Sequence, residues 1–271
     1  MNWRVITAGL TVPAVLFAAF QLLNREEPAV AAQFCGAVPA PVAHRGGTER
    51  AAENTLGAFK AAGDAGVTYW ELDVHFDKNG TAVVLHDPKV DRTSPLRGNV
   101  RRLDATDAGI PTDDGQHVPT LREVYELAGE YRAHVLTELK VTPTAAQWRK
   151  LAKDIDDTIG RSAVTIMSFQ ERHVLDAAKL IPGTVRALVH ETGALTVDEV
   201  KSYGPVLNVH HGPLTLDQVR RWHEADVEVL IWTVNNETLW EKFVTWPIDG
   251  FVTDKPIEYQ RWASQRCNPW T

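Results

Sequence analysis

Glu71-Leu72-Asp73-Val74-His75-Phe76-Asp77-Lys78-Asn79-Gly80-Thr81-Ala82-Val83-Val84-Leu85-His86-Asp87 reads as a strand, a tight turn and a returning strand. Asn79-Gly80 is a strong hairpin signal, because both residues accept the positive φ that a two-residue turn demands. So short a turn cannot restore a parallel direction, and Val83 to Asp87 is expected antiparallel to the strand before it. Counting back across the turn sets His86 opposite Asp73 or Val74.

Outside this stretch apolar runs alternate with helical patterns, the mark of βαβ units around a parallel sheet. Strands are expected to end near His44, Asp73, Lys140, Phe169, His190, His211, Asn235 and Asp254. Helices are expected near residues 54–65, 121–132, 144–159, 171–181, 197–203, 216–225, 237–245 and 257–265. Eight of each predict an α/β protein, a TIM (β/α)8 barrel with a hairpin-containing insertion after the second strand, at about residues 75–120. The part of the insertion after His86 is rich in Asp, Arg, Gly and Pro and reads as an excursion over the barrel mouth.

Barrel enzymes build their sites at the C-terminal ends of the strands. Ala43-His44-Arg45-Gly46, Glu71-Leu72-Asp73 and Glu138-Leu139-Lys140 each place charged groups there, and His86 returns to the same place. Glu71 and Asp73 are two apart on a strand and share a face. With Glu138 they make three converging carboxylates, which repel one another unless a cation sits among them. An all-oxygen set suits Ca²⁺ or Mg²⁺, and a carboxylate-rich extracellular site leans toward Ca²⁺. The alternative is that these acids pair with Arg and Lys. Three carboxylates, a divalent ion, Arg45 and Lys140 sum to about +1, a match for a singly charged phosphodiester. His44 and His86 are placed to act as acid and base about the phosphorus.

The chain has 271 residues and a formal net charge of -7, so no basic face for nucleic acid is expected. Arg4 precedes an apolar stretch to Leu23, and Ala29-Val30-Ala31 offers a cleavage site, which makes 1–31 a secretory signal peptide; an uncleaved membrane anchor is the alternative. Arg4 and Arg25 balance Glu26 and Glu27, so removal leaves the charge at -7. Residues 32–271 then form a single domain, secreted or otherwise extracytoplasmic, with no stable membrane partner unless the N-terminal segment is retained. The only cysteines, Cys35 and Cys267, lie near the ends of that domain, where a closed barrel brings first strand and last helix together, and a disulfide between them is expected in an oxidising compartment.

These residues, together with Glu53-Asn54-Thr55, Asp91-Arg92-Thr93, Thr137-Glu138, Ser168-Phe169, Trp232-Thr233-Val234-Asn235 and Asp249-Gly250-Phe251-Val252-Thr253-Asp254, resemble the glycerophosphodiester phosphodiesterase family from about Val42 to Pro256. The resemblance implies metal-dependent hydrolysis of a small-molecule glycerophosphodiester to an alcohol and sn-glycerol 3-phosphate. It implies His44 and His86 as the catalytic pair, Arg45 and Lys140 on the phosphate, Glu71, Asp73 and Glu138 on the metal, and Trp232 beside the glycerol; a strand Trp is as often simply core. Glu53 is expected to orient Arg45 or a backbone turn rather than bind metal, and Asn54 to cap the following helix. Ala52 and the loop Gly47 to Ala51 depart from the commoner family pattern. Among the other histidines, His190, His210 and His211 fall at strand ends and are candidates for the pocket. Competing readings are a lipid-directed phospholipase on the same barrel, cleaving like a phospholipase D or by cyclisation, and a secreted binding protein without catalysis.

Overall fold

A computed structural model describes residues 38–106 and 109–266. The signal-peptide and disulfide expectations, on 1–31 and on Cys35 and Cys267, lie outside the described residues.

The strands are β1 (Ala40–Ala43), β2 (Tyr69–Phe76), β3 (Ala82–Val84), β4 (His134–Leu139), β5 (Val164–Ser168), β6 (Val185–His190), β7 (Val206–His210), β8 (Glu228–Trp232) and β9 (Gly250–Thr253). The helices are α1 (Leu56–Asp64), α2 (Leu121–Tyr131), α3 (Ala145–Asp157), α4 (Glu171–Leu180), α5 (Val197–Tyr203), α6 (Leu216–Glu224), α7 (Glu237–Phe243) and α8 (Pro256–Arg266). All strands but β3 pair in parallel, in the order β1-β9-β8-β7-β6-β5-β4-β2, and the β1–β2 pairing closes the ring. The expected eight-stranded barrel is what the chain forms.

The helix starts are written in the sequence. Thr120, Thr144, Thr196 and Thr215 each accept the backbone N–H three residues on, while Glu123, Gln147, Glu199 and Gln218 reach back to the cap, four reciprocal capping boxes. Inside the ring Val42, Leu136, Met167, Ala187, Val189, Val206, Leu230 and Val252 pack together, so the barrel is filled below its mouth. Outside it, two larger apolar clusters seat the helices on the sheet, one around Trp70, Tyr125 and Ile166 and one around Trp222, Trp240 and Phe251.

β2 is twice as long as β1, and the surplus length is paired by β3, antiparallel with Val74 opposite Val84 and Phe76 opposite Ala82. The hairpin is present, but its register differs from the expected one by a residue, and Leu85 rather than His86 bonds the Asp73 carbonyl, at 2.9 Å. The cause is Asp77. Its buried carboxylate accepts the N–H groups of Asn79 and Thr81, and its own N–H donates to the Thr81 carbonyl, which holds a longer loop than a two-residue turn.

The segment after His86 is not a bare polar excursion. Val90, Val100, Ala105, Ile110 and Val118 bury themselves with Val83 and Leu85 of the hairpin in a small core of their own. Gln116 then ties the insertion to α1 through the Gly57 N–H and the Thr55 hydroxyl.

Candidate active site

Parallel pairing of β2 with β4 puts Asp73 directly opposite Glu138, and Glu71 lies two residues earlier on the same face. Ligand oxygens of the three buried carboxylates lie within 4.8 Å of one another. Burial, then the charges of Asp73 and Glu138, push the Glu71 carboxyl up to about 8. Glu138 is raised by burial and by Asp73. Burial acts the same way on Asp73, but Lys140, Arg45 and the Asn54 amide outweigh it and hold that carboxyl below its ordinary value. A cluster of hard oxygen donors in which one buried acid is driven to stay protonated lacks positive charge, and it fits a hard divalent cation.

The site's own cations are partly committed. Lys140 Nζ stands 3.0 Å from Asp73 Oδ1 and 2.8 Å from Glu138 Oε1. Arg45 donates from Nη1 to Glu53 Oε1 at 3.1 Å, while its Nε lies 3.4 Å from Asp73 Oδ2 without hydrogen-bond geometry. Pairing of the acids with Arg and Lys and a metal-fitting cluster are thus both present. Glu53 orients Arg45, as expected. Arg45 itself adopts a left-handed backbone (φ 51°) that turns its N–H to Glu71 Oε2, 2.9 Å away. Gly46 follows with φ 85°, and a Cβ there would stand 2.9 Å from that of Ala58.

Asn54 corrects the expected cap. Thr55 caps α1, accepting the Ala58 N–H, whereas Asn54 is buried, left-handed (φ 57°), and donates from Nδ2 to Asp73 Oδ2 at 2.9 Å.

Both histidines are tethered at Nδ1. His44 Nδ1 is 2.5 Å from Asp254 Oδ1, and Asp254 is fixed by Asn235, whose Nδ2 donates to Oδ2 at 2.6 Å and whose Oδ1 accepts the Asp254 N–H. His86 Nδ1 is 2.7 Å from Asp87 Oδ1, and Arg92 Nε donates to Asp87 Oδ2 at 2.6 Å. With Nδ1 as the N–H toward each carboxylate, Nε2 is left for chemistry, and that of His44 lies 4.0 Å from Glu71. Burial disfavours charge on His44, but the Asp254 bond and the Glu71 charge outweigh it and raise the imidazole; burial lowers that of His86 against the pull of Asp73 and Asp87.

The other half of the mouth is aromatic. Trp232 meets Phe169 edge-on with centroids 5.6 Å apart and His210 at 4.9 Å, and His211 stacks on His210 at 4.8 Å. The Trp232 Nε1–H is buried without an acceptor among the described residues. His190 Nδ1 accepts the N–H groups of Thr192 and Gly193. His75 and His173 serve structure, His75 donating to the His86 carbonyl and His173 bonding Thr142 and Ser168.

Thus His44, His86, Arg45, Lys140, Glu71, Asp73 and Glu138 come together as expected, with Trp232 in the aromatic half. Asp254, Asp87, Asn235 and Arg92, which had no assigned role, and Asn54, which was expected only as a cap, complete the site. For Asp87 a signal existed, an acid adjoining a histidine; Asp254 had its place at the last strand end, but its pairing with His44 appears only once the ring closes.

Residues 44–258 match the model of the glycerophosphoryl diester phosphodiesterase family. The chain belongs to that family. A glycerophosphodiester phosphodiesterase of Caldanaerobacter subterraneus subsp. tengcongensis is 30% identical over 227 residues, 79% of this chain and 93% of that one. A probable glycerophosphodiester phosphodiesterase of Mycobacterium tuberculosis is 28% identical over 236 residues, 79% of this chain and 86% of the relative. Among solved structures, an Oleispira antarctica phosphodiesterase in complex with the product sn-glycerol-3-phosphate superposes with a TM-score of 0.75 at 23% identity, over 83% of this chain and 96% of that one, a likeness of fold. The protein is an enzyme, and its reaction is the family's hydrolysis of glycerophosphodiesters.

Proposed function

We propose that this enzyme hydrolyses glycerophosphodiesters to an alcohol and sn-glycerol 3-phosphate with a divalent cation, Ca²⁺ rather than Mg²⁺, held by Glu71, Asp73 and Glu138. The carrying observation is the pair of aspartate-tethered histidines beside this cluster. One imidazole Nε2 takes the proton of the attacking hydroxyl as its oxygen bonds to phosphorus; the other gives a proton to the departing alkoxide as the P–O bond breaks. The attacking oxygen is either the glycerol 2-hydroxyl, giving a cyclic phosphate that water then opens with the two histidines exchanging roles, or water directly. A bound cation supplies Lewis-acid stabilisation of the charge that gathers on the phosphoryl oxygens. Arg45 and Lys140 share their donors between the carboxylates and those oxygens. Trp232 and Phe169 offer the apolar wall along which the glycerol lies. Residues 1–31 would export the enzyme, so it works outside the cytoplasm.

³¹P NMR of the mature domain with glycerophosphocholine tests this reading. EDTA should abolish the glycerol 3-phosphate signal and Ca²⁺ should restore it more fully than Mg²⁺; a transient cyclic phosphate identifies the 2-hydroxyl as nucleophile. Cleavage of lysophospholipid or sphingomyelin, with none of the deacylated diester, would replace it with the lipid-directed reading.

A further inference from the structure

Besides His86 and Asp87, the insertion sends Arg92 toward the site. Arg92 closes a short 3-10 turn, Val90–Arg92, anchored by fully buried Val90 and by Asp91, whose Oδ1 accepts the Gly98 N–H. From there its guanidinium reaches two carboxylates, Asp87 within the insertion and Glu53 in the loop between β1 and α1. Nε donates to Asp87 Oδ2 at 2.6 Å and Nη2 to Glu53 Oε1 at 2.6 Å, the oxygen that also accepts from Arg45 Nη1. Asp87 in turn holds His86.

We propose that Arg92 is a positioning residue, a single planar fork that sets the separation between the His86 imidazole and the Arg45 guanidinium and so fixes both against the phosphorus. This rests on the phosphodiesterase reading above. A plain surface ion pair would not explain the arrangement: the Arg92 side chain is 46% exposed, and exposed pairs contribute little to stability. Geometry is what the fork supplies, since its donors diverge at a fixed angle that lysine cannot reproduce. The Arg92 bond is also the first cause of the Asp87 carboxyl lying down at about 2, so that carboxylate stays charged toward His86. On this view the insertion serves less to cover the mouth than to deliver Arg92.

The test compares Arg92→Ala, Arg92→Lys, Asp87→Asn, Glu53→Gln and the Asp87→Asn/Arg92→Ala double variant, using glycerophosphocholine with metal. Arg92→Ala should lower kcat roughly 10- to 100-fold, the scale of a misplaced reacting group, and raise KM. Asp87→Asn should reproduce the kcat loss and Glu53→Gln the KM rise, while Arg92→Lys restores only one of the two. Residues acting through one contact are not additive, so the double variant should fall within about 2-fold of Asp87→Asn in kcat. Ring ¹⁵N–¹H spectra of the ligand-free proteins supply a readout independent of turnover: Arg92→Ala should shift the His86 signals and leave those of His44 in place. Unmoved His86 signals, or kcat losses that multiply in full in the double variant, would overturn the proposal. If the wild-type enzyme failed to turn over any glycerophosphodiester, the functional reading would fall, and the His86 spectrum would still decide whether Arg92 positions that ring.

Discussion

His44 Nδ1 and Asp254 Oδ1 meet at 2.5 Å across 210 residues of chain. The contact exists because β1 and β9 pair, with Ala43 opposite Thr253, so the residue after each strand arrives at the same point of the rim. Asp254→Asn should therefore lose the tautomer and the charge but little packing. Its kcat should drop roughly 100-fold or more, on the scale of a lost general acid or base. Thermal unfolding of the same variant should stay close to wild type; a large loss of stability with intact kcat would show the contact to be a clasp and not part of catalysis.

Metal removal should give the protein a stability that depends on pH through Glu71. In the unfolded chain this acid ionises near 4.5, whereas in the folded protein it keeps its proton up to about 8. The unfolded state sheds the proton first, so the metal-free protein should lose stability steadily as pH rises from about 4.5 to about 8. Differential scanning calorimetry with EDTA should show this decline, Glu71→Gln should flatten it, and Ca²⁺ should raise Tm most at the alkaline end.

At the bottom of the barrel two groups pull in opposite directions. Burial, then repulsion from Asp249, pushes Glu228 up to about 7, so it too costs stability as pH climbs from about 4.5 to 7. Burial pushes His134 down to about 4, and stability held by its neutral ring is lost as pH falls from 6.5 to 4. Glu228→Gln should raise Tm at pH 8 and leave it unchanged at pH 4; equal shifts at both would contradict this assignment.

Asp77→Ala removes three accepted N–H bonds, from Asn79, Thr81 and Ala105, at a buried carboxylate. The expected cost is about 2–4 kcal/mol by denaturant titration. Because the same loop sets the hairpin register, kcat should fall as well, and Asp77→Asn should recover part of each.

The barrel could be read from the chain because each βα unit announces itself locally by an apolar run followed by a helical pattern, and four of the helices add a T-x-x-E/Q cap. Helix ends came within a few residues for the same reason. The charged centre was legible since strand ends of a barrel converge whatever the loops do. The rest depends on side-chain choices that periodicity does not encode. A five-residue loop from Asp77 to Thr81 shifted the hairpin, an inward turn of Asn54 moved the cap to Thr55, and Lys140 lies between Asp73 and Glu138. The Asp254 contact needs ring closure, and the reach of Arg92 needs a folded insertion.

β2 changes partner along one edge, from β1 at Tyr69 and Trp70 to β3 at Val74 to Phe76, while β4 holds the other edge from Tyr69 to Val74. The strand bearing Glu71 and Asp73 is therefore clamped at both ends of one side and from Tyr69 to Val74 on the other, and it cannot slide without opening the ring and the hairpin together. Its amides should be among the slowest to exchange with solvent, which native-state hydrogen exchange would check. The pairing that closes the ring thus also sets the spacing of the ligand oxygens, and much of the entropy of arranging them is met during folding rather than on binding.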